Sequence, residues 1–90
     1  LKLATAAVER AEAEVRRLES KYTNAELEEA RARVRIREAE LAGAQREFRQ
    51  ASEQLARSLV PRSQVEDLQT QLDAAEARLS EAQQALKVLE

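Results

Sequence analysis

The 90-residue sequence contains no cysteine, histidine, methionine or tryptophan, and only one glycine and one proline. The absence of cysteine excludes disulfides and thiol chemistry. The absence of both cysteine and histidine removes the commonest general bases, nucleophiles and zinc ligands. A single glycine cannot form a glycine-rich phosphate loop. We therefore predict that the chain is not an enzyme and that it binds no cofactor and no metal.

Charge of one predominant sign is also lacking, since 15 Lys and Arg residues face 17 Asp and Glu residues, for a net charge of −2. The arginines at positions 31, 33, 35 and 37 alternate, but glutamates flank them at 28, 29, 38 and 40 and no aromatic residue interleaves. A nucleic-acid surface needs a clustered positive field. No apolar run approaches the length that crosses a bilayer. We expect neither nucleic-acid binding nor membrane insertion by these residues.

Aromatic residues are limited to Tyr22 and Phe48, although apolar residues make up 43% of the chain and charged residues 36%. Most of the apolar residues are alanine and leucine, and alanine has little surface to bury. Such a chain can form thin layers between helices but not a thick core. Richness in Ala, Glu, Leu and Arg with few helix breakers is typical of long helices and coiled coils.

Apolar residues recur at alternating spacings of three and four, which is the pattern of a coiled-coil seam. The N-terminal seam consists of Leu1, Ala4, Val8, Ala11, Val15, Leu18 and Tyr22. The middle seam consists of Leu27, Ala30, Val34, Leu41, Ala44, Phe48, Ala51 and Leu55, with Arg37 as the exception. The C-terminal seam consists of Val65, Leu68, Leu72, Ala75, Leu79, Ala82, Leu86 and Leu89. We predict that all three seams are helical.

The N-terminal and middle seams are out of phase, and residues 20–24 between them are poor helix formers as a group. One interpretation is a break near residues 22–24, with Thr23 or Asn24 capping a new helix. The other is a continuous helix that absorbs the change of phase as a skip. The sequence leaves both open.

A second boundary lies at Pro61, which cannot continue a helix without losing a hydrogen bond. Ser63 and Glu66 then have the spacing of a capping box directly before the C-terminal seam. The sequence thus divides into an N-terminal helical segment (1–22), hairpin helix one (23–58), a tip (59–62) and hairpin helix two (63–90).

The register of two antiparallel helices can be read from residue numbers. One number rises as its partner falls, so paired residues have a nearly constant sum. Pairing the seam positions from 30 to 55 with those from 65 to 89 gives sums of 120 or 119, with Phe48 opposite Leu72. We therefore predict an all-α fold, an antiparallel two-helix coiled-coil hairpin. Residue 89 pairs with residue 30, so the N-terminal seam has no partner within the hairpin. Gly43 is interpreted as a point of close helix packing.

The tip carries Leu59 and Val60, which lie beyond the last paired layer of the hairpin. One interpretation is that they fold under the tip as a local plug. The other is that they form a partner-binding surface together with the neighbouring Arg57 and Arg62, because apolar side chains ringed by donors suit protein docking.

Residues 54–68 resemble the hairpin tip of HlyD-type membrane fusion proteins, the periplasmic adaptors of tripartite efflux pumps and type I secretion systems. Residues 22–27 resemble the break in helix one of a subset that works with ABC transporters. The resemblance implies a hairpin that docks through its tip onto a TolC-type outer-membrane channel. It also implies an inner-membrane transporter as a second partner, reached through lipoyl and β-barrel domains outside these residues. The expected location is the periplasm, with the parent protein anchored to the inner membrane and several hairpins packed side by side.

The resemblance also implies tip residues. The serine of the family's tip motif matches Ser63, whereas its leucine falls on Ala56, beside Leu55, and its arginine falls on Ser52. Arg57 or Arg62 would have to replace that arginine. The expected partner-binding tip therefore comprises Leu55, Arg57, Leu59, Val60, Arg62 and Ser63. The alternative function is a structural coiled-coil segment of an unrelated scaffold or oligomerisation module.

Overall fold

Two α-helices form the fold. The computed structural model describes residues 2–90, without the side chains at positions 2 and 19–22. Helix α1 spans Lys2–Ala56 and has 55 residues, and helix α2 spans Arg62–Leu89 and has 28 residues. The molecule is a rod with extents of 85 × 13 × 12 Å. The prediction of an all-α two-helix hairpin is confirmed.

Helix α2 packs against the C-terminal half of α1 through the predicted seams. The buried hydrophobic residues are Ala30, Val34, Ala51, Ala75 and Ala82, and all five are seam positions. None of the seam residues at 27–55 and 65–89 is exposed. The core is therefore a single line of contact, in which Val34 and most of the alanines are buried, while the leucines and Phe48 are half-buried.

Four surface grooves between the helices report the register, because each is lined by residues of both. Phe48 and Leu72 line one of these grooves together. The other three are lined by Ala44 and Ala75, by Ala51 and Leu68, and by Ala30 and Leu89. These are the pairs with residue-number sums of 119 and 120, so the structure agrees with the predicted antiparallel register.

Helix α1 is continuous through residues 22–24, so the break considered there is absent and the continuous helix is the correct alternative. Thr23 and Asn24 are therefore interior helical residues and do not cap a new helix. Ser, Thr and Asn each cost only up to about 0.7 kcal/mol in a helix interior, far less than proline. Neither proline nor glycine occurs in this segment. The side chain of Tyr22 lies outside the described residues.

The start of α2 differs from the prediction, because Ser63 does not cap it. Pro61 occupies the N-cap position with φ −74° and ψ 154°, and the helix has no side-chain cap. An N-cap residue needs extended dihedrals. Proline readily supplies them, since its ring fixes φ and ψ remains free. The Gln64 N–H donates to the Pro61 carbonyl over 3.2 Å. Helix α2 therefore begins at Arg62, one residue early, and Ser63 falls in its first turn.

Gly43 is not a point of close helix packing. A Cβ atom built there would meet only Nη2 of Arg46, at the ordinary van der Waals distance of 3.8 Å. Gly43 lies one residue before the seam position Ala44, so it is displaced sideways from the line of contact with α2. The fold therefore does not require glycine at position 43.

The N-terminal half of α1, residues 2–26, extends beyond the end of α2 as a single helix. Val8, Val15 and Leu18 are 55%, 52% and 55% exposed. The N-terminal seam thus has no partner within the hairpin, as expected, although Leu1 lies outside the described residues. No helix of the described chain is long and apolar enough to cross a membrane.

Candidate functional site

The conformation of the hairpin tip is set by the backbone hydrogen bonds at the C-terminal end of α1. The Leu59 N–H donates to the Gln54 carbonyl over 2.8 Å, and the Ser58 N–H donates to the Leu55 carbonyl over 2.9 Å. Ser58 has φ 59°, in the left-handed region. This pair of bonds around a left-handed residue is the Schellman motif, which satisfies the last carbonyls of a helix and reverses the chain.

A serine at the left-handed position is unusual, because a Cβ atom in that conformation costs roughly 1–2 kcal/mol. Glycine is the usual occupant. The two backbone bonds on one side and the fixed φ of Pro61 on the other hold the strained residue in place. These features restrict the backbone of the turn at residues 57–61.

Leu59 is 68% exposed, so it does not plug the hairpin. In a Schellman motif the residue at this position commonly packs against an apolar side chain in the last turn of the helix. Here the two candidate positions are occupied by Gln54 and Glu53. Leu59 has no apolar side chain at either position, so it points into solvent. Val60 is half-buried.

Two arginines flank this leucine, and both are exposed. Arg57 follows the last residue of α1, and Arg62 is the first residue of α2. Neither has an ion-pair partner among the side chains that the structure describes. Unpaired guanidinium groups beside an exposed apolar side chain can donate to carboxylates or carbonyls of a partner.

The remaining residues expected at the tip occupy two environments. Leu55 is half-buried in the seam, so packing within the hairpin already uses much of its surface. Ser63 is exposed on the first turn of α2, and its hydroxyl is free of a capping role. The accessible tip therefore consists of Arg57, Leu59, Arg62 and Ser63, with Leu55 and Val60 behind them.

Ser58 is the tip residue that sequence reasoning missed. No glycine or asparagine marked the left-handed position, and the pattern predicted helix to residue 58, whereas α1 ends at Ala56. The only available signal was indirect. The heptad ends at Leu55 and Pro61 restricts Val60, which leaves few positions where the chain can reverse.

Two ion pairs lie on the shaft of the hairpin, and each joins residues of α1 that are three or four positions apart. The Arg33 guanidinium lies 3.1 Å from the Glu29 carboxylate, and that of Arg37 lies 3.0 Å from the Glu40 carboxylate. Arg37 occupies a seam position but directs its charge outward to Glu40, with its stem half-buried. Within the described residues, no three carboxylates are placed to hold a metal ion.

No known protein family matches the chain, and neither a curated protein nor a solved structure is significantly similar to it. The hairpin and its tip are therefore the features that bear on function.

Proposed function

We propose that the chain is the α-helical hairpin of a periplasmic adaptor protein of the HlyD type, which bridges an inner-membrane transporter and a TolC-type outer-membrane channel. In this proposal the tip docks onto the channel, and the rest of the adaptor reaches the transporter. Several hairpins pack side by side in the parent protein. The observation that carries the proposal is the exposure of Leu59 between two unpaired arginines at the end of an 85 Å rod.

The shape of the molecule suits a bridging role. The tip stands at one end of the rod, and α2 braces only the half of α1 next to it. The turn is held by two backbone bonds, so little conformational entropy is left for docking to remove. A rigid tip on a long arm can contact a distant protein while the body of the adaptor stays elsewhere.

The chemistry of the tip indicates the kind of groove it would enter. Burial of the Leu59 side chain would contribute about 1.5–3 kcal/mol of apolar stabilisation. Charge-assisted hydrogen bonds from Arg57 and Arg62 to carboxylates or carbonyls around the groove would fix the orientation. Ser63 adds a hydroxyl that can donate or accept beside Arg62.

The deciding variant is Leu59→Asp in the parent protein. Leu59 lies outside the seam and is exposed, so the substitution leaves the hairpin packing intact. We expect transport or secretion to be lost while the helicity and melting temperature of the hairpin, measured by circular dichroism, stay close to wild type. The matched control is Val88→Glu, which also replaces an exposed apolar residue, 85% accessible, with an acid. It lies about 40 Å from the tip by helix length, and transport should continue.

Two outcomes would count against docking. Full transport in the double variant Leu59→Asp with Arg57→Glu would remove the tip from consideration. A drop in melting temperature that parallels the loss of transport would assign Leu59 a structural role instead.

The alternative is a structural coiled-coil segment of an unrelated scaffold, which the exposed seam at Val8, Val15 and Leu18 favours. An adaptor requires a membrane anchor and two half-lipoyl segments flanking the hairpin in the parent sequence. Sequencing the gene on both sides of the encoding region separates the two functions without any assay.

A further inference from the structure

We draw no further inference here: the strongest candidate, the exposed apolar face of Val8, Ala11, Val15 and Leu18 on the N-terminal half of α1, carries nothing because nothing in the structure shows what covers it.

Discussion

The two halves of α1 carry the same alternating apolar pattern but have opposite environments. Val34, in the half that α2 covers, is 9% exposed, whereas Val15, at an equivalent seam position in the other half, is 52% exposed. Both residues are valines on one continuous helix. The comparison shows that the alternating pattern identifies an apolar surface. Whether the residues of that surface are buried depends on whether a second helix reaches them.

The two halves should differ most in how strongly a charge placed on the seam lowers the stability of the hairpin. Ala51→Asp puts a carboxylate at a position that is 2% exposed, without a partner. An unpaired buried charge costs about 3 kcal/mol or more. We expect urea or thermal melts followed by circular dichroism to show that the hairpin is severely destabilised.

The matched control is Ala11→Asp, which makes the same change at an exposed seam position of the same helix. The loss of helix propensity is shared by both variants, at most about 0.7 kcal/mol. The hairpin melt should change little. Equal destabilisation by the two variants would contradict the assignment of one seam as paired and the other as open.

The predicted register succeeded for a physical reason. Paired positions such as Phe48 and Leu72 are related by heptad arithmetic alone, because regular helices leave no freedom once the turn is located. The failures arose where energies are small or nearly equal. The sequence left a break at Thr23 and Asn24 open beside a continuous helix, because these residues weaken a helix by too little to decide. The expected cap at Ser63 was wrong, because Pro61 occupies the cap position.

The tip was harder to predict than the shaft because its geometry depends on single residues with no periodic signal. The plug and the partner surface were both consistent with the sequence of Leu59 and Val60. The structure separates them, with Leu59 exposed and Val60 half-buried. That difference follows from the hydrogen bonds around Ser58, which no apolar pattern encodes.

The open seam should cause association in solution. Contiguous exposed apolar surface of this kind tends to become buried between molecules. We expect sedimentation analysis of the chain to show concentration-dependent association, which the double substitution of Val15 and Leu18 by glutamate weakens strongly. Ile36→Glu, at a residue that is 56% exposed on the covered half, serves as the control and should leave association unchanged. A well-folded monomer at all concentrations would contradict the prediction.

A smaller change in the stability of the hairpin is expected from a substitution at Gly43, in the half of α1 that α2 covers. Gly43→Ala adds a methyl group at ordinary van der Waals distance from the Arg46 side chain and reduces the conformational entropy of the unfolded chain. The hairpin should become more stable by about 1 kcal/mol, the usual difference between glycine and alanine in a helix interior. Thermal melts measure this gain. A loss of stability would restore the interpretation of close packing.

The smallest effect is expected at Ser63. Because its hydroxyl does not cap α2, Ser63→Ala should change stability by less than about 0.5 kcal/mol, as for an ordinary surface position. A true cap would cost about 1 kcal/mol. If transport falls in this variant while the melt is unchanged, the hydroxyl acts in docking and not in folding.

The polar residue at position 54 has a consequence for how such a tip could evolve. Leu59 projects into solvent because its neighbour in the last turn of α1 is Gln54. The exposure of Leu59 therefore depends on position 54 as well as on Leu59 itself. A change from Gln54 to leucine would give Leu59 an apolar neighbour and draw it onto the helix. Less apolar surface would then be exposed at the tip. If the tip docks as proposed, a substitution at position 54 would change the apolar surface available for docking while Leu59 itself stays unaltered.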